Sequence, residues 1–399
     1  MKRTLRNIYL FSLLLILTFD FTQAQINRTL ETKVVDVLAQ LPTEDLEHSD
    51  RLMREVIALG ETGILEFTNR LLPAGAGNDV QARYLVNSLS IYAGRGTTQE
   101  DKELVESTLR KAIEATESKD VKIFLMERLI FCASDESVGF LSDYLDDDDY
   151  YKTALAVLET IGTDTAASAV FRHLDKAEKG RQYAMVESLG KMRYQPANDK
   201  LIEMSDTPDW ISVKYVLRAL SEIASEESYK TLTKAAATAN YRVDTKEGVI
   251  SLMNYGYRLR ETGKVKLSQD VGANLMNHCK DKDQLHFRAA GLELQRDLNP
   301  ASLNKMLLKE VRNPDLKYRG AVLDLAEETV MAINYKDWIN AFEKASKEAK
   351  PQILRKIGKI KNPDVFNNCI SPSLKSGDEE LQIAAVKSLS FQEKSSALK

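Results

Sequence analysis

The chain has 399 residues, with 55 Lys+Arg against 59 Asp+Glu and a formal net charge of −4. That mild acidity has the wrong sign for broad binding to a phosphate backbone, so a nucleic-acid role is excluded. Cys132, Cys279 and Cys369 are odd in number and far apart, which excludes a disulfide framework and reads as three small buried hydrophobes.

Residues 1–24 have the order of a secretory signal peptide. Lys2, Arg3 and Arg6 form a basic start, Ile8 to Phe19 is almost unbroken apolar chain, and Thr22, Gln23 and Ala24 lead to cleavage after Ala24. The apolar run is too short to span a bilayer comfortably, and no later stretch is long enough, so no membrane span is expected after cleavage. No cysteine follows the run, which argues against a lipid anchor. Removing these residues leaves 52 basic and 58 acidic side chains, a net of −6. The expected location is periplasmic or secreted. Residues 25–49 read as a capping helix from Ile26 to Gln40 followed by the loop LPTEDLEHSD.

From residue 50 to 399 one phrase recurs: a polar cap, a helical apolar stripe, a small residue or turn, then a second amphipathic segment. Openings fall near Asp50, Asp79, Asp120, Asp149, Gly180, Asp209, Asp244, Asp283, Asp315, Ala349 and Asp378. The recurring step near 30 residues is two helices of about 12 residues with short turns. In the unit from Asp149, the stripe is Ala154, Leu155, Val157, Leu158 and Ile161. Gly162 is expected to stop that helix at positive φ, and Asp164 to cap the next. Pro208 suits a first helical turn. No run of alternating β-branched residues suggests a strand. The last unit has a first helix, with the stripe Leu381, Ile383, Ala384, Val386 and Leu389, and lacks a second. Its uncovered side predicts self-association or docking at that end.

The phrases DYYKTALAVLETIG, GRQYAMVESLGKM and ELQIAAVKSLS resemble HEAT and HEAT-like repeats. The resemblance covers nearly all of the chain after the signal. It implies an all-α fold, an alpha-alpha superhelix of about ten helix pairs, with the last repeat incomplete. Arg83 and Arg218 are loose counterparts of the arginine that many family members carry in the first helix. The Ala24-Gln25 ending and the secreted context resemble Bacteroidetes-type proteins, in which similar arrays precede domains that resemble 3-keto-disaccharide hydrolases. No such domain is visible here.

No catalytic pattern stands out. His48, His173, His278 and His286 lack the three- or four-residue spacing of a helical metal site, and His278 with Cys279 and His286 is the best of the weak combinations. Asp146 to Asp149 lacks the spaced ligands and turn glycine of a calcium loop and reads as an acidic N-cap. Gly75-Ala76-Gly77 and Gly94-Arg95-Gly96 follow no strand, so neither suggests a nucleotide loop. No serine sits in a nucleophile elbow. No catalytic residue, metal or cofactor is therefore expected.

In the resembling family, second helices line the concave face and make a groove for partners. On helical phase, Tyr144, Arg172, His173, Lys200, Tyr229 and Lys305 are the binding candidates. The expected function is a non-enzymatic secreted scaffold that binds a protein partner or a neighbouring carbohydrate-active component. The alternative is an accessory repeat region of a carbohydrate-processing system whose catalytic domain is separate or lost.

Overall fold

The computed structural model describes residues 29–95 and 97–392, so the expected signal segment at 1–24 lies outside the described residues. Among the described residues, every regular element is helical. The fold class is an all-α superhelix of stacked helix pairs. The chain divides into two compact units, one ending at Met192 and one beginning at Arg193.

The first unit opens with α1, Leu30–Leu38, capped by the Thr29 hydroxyl. Four pairs follow: α2 (Leu46–Ile57) with α3 (Gly60–Thr68), α4 (Val80–Gly94) with α5 (Gln99–Ala115), α6 (Lys119–Cys132) with α7 (Val138–Ser142), and α8 (Tyr151–Ile161) with α9 (Asp164–His173). Helix α10, Lys179–Lys191, ends the unit. First helices α2, α4, α6, α8 and α10 pack one on the next, while α3 packs on α5 and α7 on α9. The result is two layers with the apolar stripes between them.

The second unit repeats the plan. Its first helices are α12 (Trp210–Ile223), α14 (Gly248–Glu261), α16 (Leu285–Glu293), α18 (Leu316–Thr329), α20 (Lys350–Ile357) and α23 (Glu379–Leu389). Its second helices are α11 (Asn198–Met204), α13 (Ser228–Thr238), α15 (Val265–His278), α17 (Pro300–Glu310) and α19 (Tyr335–Glu343), then a broken helix of α21 (Pro363–Val365), a π turn (Phe366–Ile370) and α22 (Ser371–Leu374). The first helices again form a continuous ladder.

The starts of the first helices follow from their caps. Asp45, Asp209, Asp315 and Asp378 accept hydrogen bonds from amides of the first turn, satisfying donors that the helix leaves unpaired. Gly162 ends α8 at φ 65°, a conformation that costs a residue without a Cβ little. Four sequence expectations need correction. The loop expected through Asp50 ends at Asp45, and Asp50 lies inside α2 instead of opening it. Pro208 precedes the Asp209 cap of α12 and so lies outside its first turn. The cap of α9 is the Thr163 hydroxyl rather than Asp164, which becomes the first helical residue. The acids at 146–149 do not cap α8, whose preceding residue Tyr150 makes no side-chain cap bond. Side chains from other helices reach these acids instead: Lys119 reaches Asp149 at 2.5 Å, His173 Nδ1 lies 3.1 Å from Asp146, and Arg181 Nε lies 3.4 Å from Asp148.

A recurrent bond ties the pairs together. In four first helices, the residue four beyond the cap reaches back to the chain leaving the preceding second helix. Arg83 Nη2 donates to the Leu72 carbonyl at 2.8 Å, Gln182 Nε2 to Leu174 at 3.3 Å, Arg319 Nη1 to Asn313 at 3.0 Å, and Gln382 Nε2 to Leu374 at 3.4 Å. Arg83 and Arg218 are the loose counterparts of the first-helix arginine of the resembling family. Arg83 makes this bond; Arg218 instead forks onto Glu247 at 2.6 and 2.8 Å.

Packing in the second unit is tight enough to require glycine at α15 and α16. A Cβ at Gly272 would lie 2.6 Å from the Gly291 carbonyl oxygen, and one at Gly291 would lie 2.7 Å from that of Gly272. Further along, Arg288 donates to Glu310 at 2.9 Å and the Tyr318 hydroxyl donates to the same carboxylate at 2.6 Å. Glu310 is only 7% exposed, so this closed set keeps a buried charge satisfied. Trp338 is fully buried, and its indole donates to Asn304 Oδ1 at 2.9 Å. Trp338→Ala should remove a large buried ring and leave that acceptor unpaired. The expected loss is about 3–5 kcal/mol, read as a lower urea midpoint. A midpoint unchanged from wild type would show that the ring adds nothing to the core.

Candidate functional site

The six residues nominated from sequence do not form one site. Tyr144 lies in the turn after α7, and Arg172 and His173 end α9, all in the first unit. Lys200 lies on α11, Tyr229 on α13 and Lys305 on α17, in the second. Tyr144 and His173 share the surroundings of the acidic turn. Tyr144 packs edge-on against Phe140 and Tyr150, at 5.3 and 5.7 Å between ring centres, with Lys122 above both tyrosines. Burial pushes the Tyr144 and Tyr229 hydroxyls up, so both stay neutral donors. Lys200 lies 3.8 Å from Glu203, while Arg172 and Lys305 are exposed.

The other combinations weighed from sequence separate in space or are spent on packing. His278 stacks on Tyr241 at 4.5 Å, His286 packs on Phe287 at 3.9 Å, and Cys279 is buried. Among the described residues, no group of three or more His, Cys, Asp and Glu side chains is placed to hold a metal ion. Glu106, 1% exposed, accepts from the Ser134 amide at 2.9 Å and the Ser137 hydroxyl at 2.5 Å, which uses it to hold the start of a second helix.

Two clefts in the second unit are built alike. The first holds about 510 Å³ between second helices α11 and α13. Val213 and Leu217 of α12 supply apolar wall, and Lys230, Lys234 and Lys246 supply charge. The second holds about 710 Å³ between α17 and α19. Leu308, Ala341 and Ile353 supply its apolar wall, and Arg312, Arg319 and Lys344 its charge. In each case two consecutive second helices, the turn leaving the first of them and the first helix between them make the walls. Each cleft also carries two carboxylates: Asp206 and Asp244 in the first, Asp337 and Glu348 in the second. Both therefore have an excess of one positive charge in a chain whose net charge is −4. Apolar walls with a few placed polar groups suit the binding of small segments or molecules.

None of the six nominated residues lines either cleft. Helical phase alone selected outward positions, whereas the clefts form where a turn and two helices converge. A signal for the second cleft was present in the sequence: Asp315 and Arg319 repeat the four-residue spacing of Asp79 and Arg83.

At the foot of α14, Arg218 and then Lys214 hold the Glu247 carboxyl below the usual carboxylate range. In the first unit a smaller hollow of about 310 Å³ includes Tyr84 and Arg95. Both are committed to the stack, Tyr84 to the Thr43 carbonyl at 2.7 Å and Arg95 to Asp50 at 2.5 Å. On α23, Ala384 and Ala385 are buried while Ile383 and Val386 face outward, 44% and 58% exposed. No described helix is long and apolar enough to cross a membrane.

No family description matches the chain, and no curated protein matches it. Among solved structures it is similar to that of a Kap121p mutant, with a TM-score of 0.44 and 10% identity over 91% of this chain. The chain spans 49% of that protein's length. It is also similar to a structure from work on a phosphorylation switch controlling the interaction between cadherin and beta-catenin. There the TM-score is 0.30 and the identity 11%, over 89% of this chain and 98% of the other. Neither likeness bears on what this chain binds.

All three cysteines are buried. Burial pushes the Cys132 and Cys369 thiols up to about 12 and the Cys279 thiol to about 11. The thiolate is the reactive form, so at pH 8 each should resist a disulfide reagent such as DTNB until the chain unfolds. Release of three equivalents in urea with almost none in native buffer is expected; rapid native labelling would contradict the buried packing.

Proposed function

We propose that this chain is a non-enzymatic helical-repeat scaffold that binds a protein partner through clefts between its second helices. The observation that supports it is the pair of clefts in the second unit, made by the same arrangement of two second helices, a turn and a first helix. A repeat array that presents recurring hollows can engage successive residues of one partner segment. Because helices already fixed by stacking hold the walls, little ordering entropy is lost on binding. The reading also places the protein in the periplasm or outside the cell, on the strength of residues 1–24.

Photo-crosslinking tests the scaffold. Benzoylphenylalanine placed at Thr231 of the first cleft and at Ala341 of the second should each capture the same protein in the native host. The same probe at Asp324, exposed on first helix α18, should not. Absence of any cleft-specific product would overturn the reading. The location has its own check: N-terminal sequencing of protein from the native host should begin at Gln25, and an intact Met1 in a cytoplasmic pool would refute export.

A further inference from the structure

We propose that the cleft between α17 and α19 is a carboxylate-binding subsite, which seats an acidic group of a partner peptide against Arg319. The proposal rests on the scaffold reading and names the chemistry of one of its clefts.

The argument starts from two arginines at equivalent positions. Arg83 and Arg319 both lie four residues beyond an aspartate that precedes a first helix. Arg83 is neutralised locally: its Nε donates to Asp79 Oδ2 at 2.8 Å. Arg319 is not. Asp315 spends its Oδ1 on the amides of Lys317 and Tyr318, at 3.0 and 2.9 Å. Arg319 Nε donates to the Gln352 amide oxygen at 2.5 Å, and its Nη atoms donate to the carbonyls of Asn313, Pro314 and Glu348 at 3.0, 3.3 and 3.4 Å. Every one of these acceptors is uncharged.

Arg319 is nevertheless 3% exposed. A buried guanidinium carries a full charge, and burial without a counter-charge is costly. It has five N–H donors, and the four bonds named above leave one to spend. Arg319 also lines the 710 Å³ cleft, with Arg312 and Lys344 at the same opening. Glu348 lines the same cleft and feels the Arg319 charge at longer range, but its carboxylate makes no ion pair with the guanidinium. A carboxylate entering there would supply a counter-charge in direct contact and accept a charge-assisted bond. Leu308, Val311, Ala341 and Ile353 would cover an apolar neighbour on the same peptide. Asp337 does not compete, since its carboxylate accepts from Asn304 Nδ2 at 2.9 Å. The carboxylate can come from a chain terminus or from an Asp or Glu side chain, because both present the same two oxygens.

Ligand-observed NMR titration of the full chain tests this with three peptides. One is acetyl-Ala-Leu-Leu with a free carboxylate, one is its C-terminal amide, and one is acetyl-Ala-Glu-Leu amide. At least one carboxylate peptide should bind about 10-fold more tightly than the uncharged amide. The winner identifies the source as terminus or side chain. Arg319→Gln should erase the preference. If that variant does not fold, the exposed Lys344→Gln should reduce the preference and Ala341→Phe, which fills the cleft, should weaken all binding about 10-fold. Equal affinity for carboxylate and amide forms would overturn the proposal. So would no binding up to about 5 mM, or binding undiminished in Ala341→Phe. A cross-linked partner without any carboxylate preference would sink this subsite and leave the scaffold standing; a clear preference without a partner would do the reverse.

Discussion

A pair of amphipathic helices has more apolar surface than the pair itself can cover, and this constraint governs the whole molecule. Each first helix needs another first helix beside it, and the ladders within both units are the outcome. Burial alone is non-directional and would allow one pair to slide along the next. The bonds from Arg83, Gln182, Arg319 and Gln382 to carbonyls of the preceding turns oppose that sliding. A polar side chain near the start of a helix thus fixes register while the apolar stripe supplies the free energy. The clefts are a by-product: two second helices held at a set spacing, with a turn across one end, leave a hollow that the stack does not fill.

Much of the fold was legible because its determinants are local. The cap at Asp315, the stop at Gly162 and the apolar stripe between Ala154 and Ile161 act within one or two turns of chain, and a sequence displays them directly. Where two groups compete for one role, reading failed. Thr163 and Asp164 both suit an N-cap, and only the backbone conformation decides that the hydroxyl takes the amide. The acids at 146–149 looked like a local device, yet their partners Lys119, His173 and Arg181 come from three different helices.

The candidate site was far less legible. Lys305 and Arg172 are outward-facing, as helical phase suggests, but outward is not the same as convergent. Arg312, Arg319 and Lys344 meet only because α17, α18 and α19 fold back on one another, across a span of 33 residues between Arg312 and Lys344. The status of Arg319 rests on a subtler point. Its cap aspartate faces two amides instead of the guanidinium, and no spacing rule distinguishes that from the arrangement at Arg83.

Gly272 and Gly291 bring mechanics into view. Most joints in a helical stack are cushioned by side chains that can change rotamer, so they yield a little under load. At these two glycines backbone meets backbone, and nothing between them can rearrange. That joint should behave as a stiff link, as should the one where Gly248 of α14 meets the Ala235 backbone of α13. A pull or a bend applied to the second unit would be absorbed by the cushioned joints and passed through these two almost undiminished. The close contact of Gly272 with Gly291 leaves no space for a side chain at either position, so any substitution there must push α15 and α16 apart.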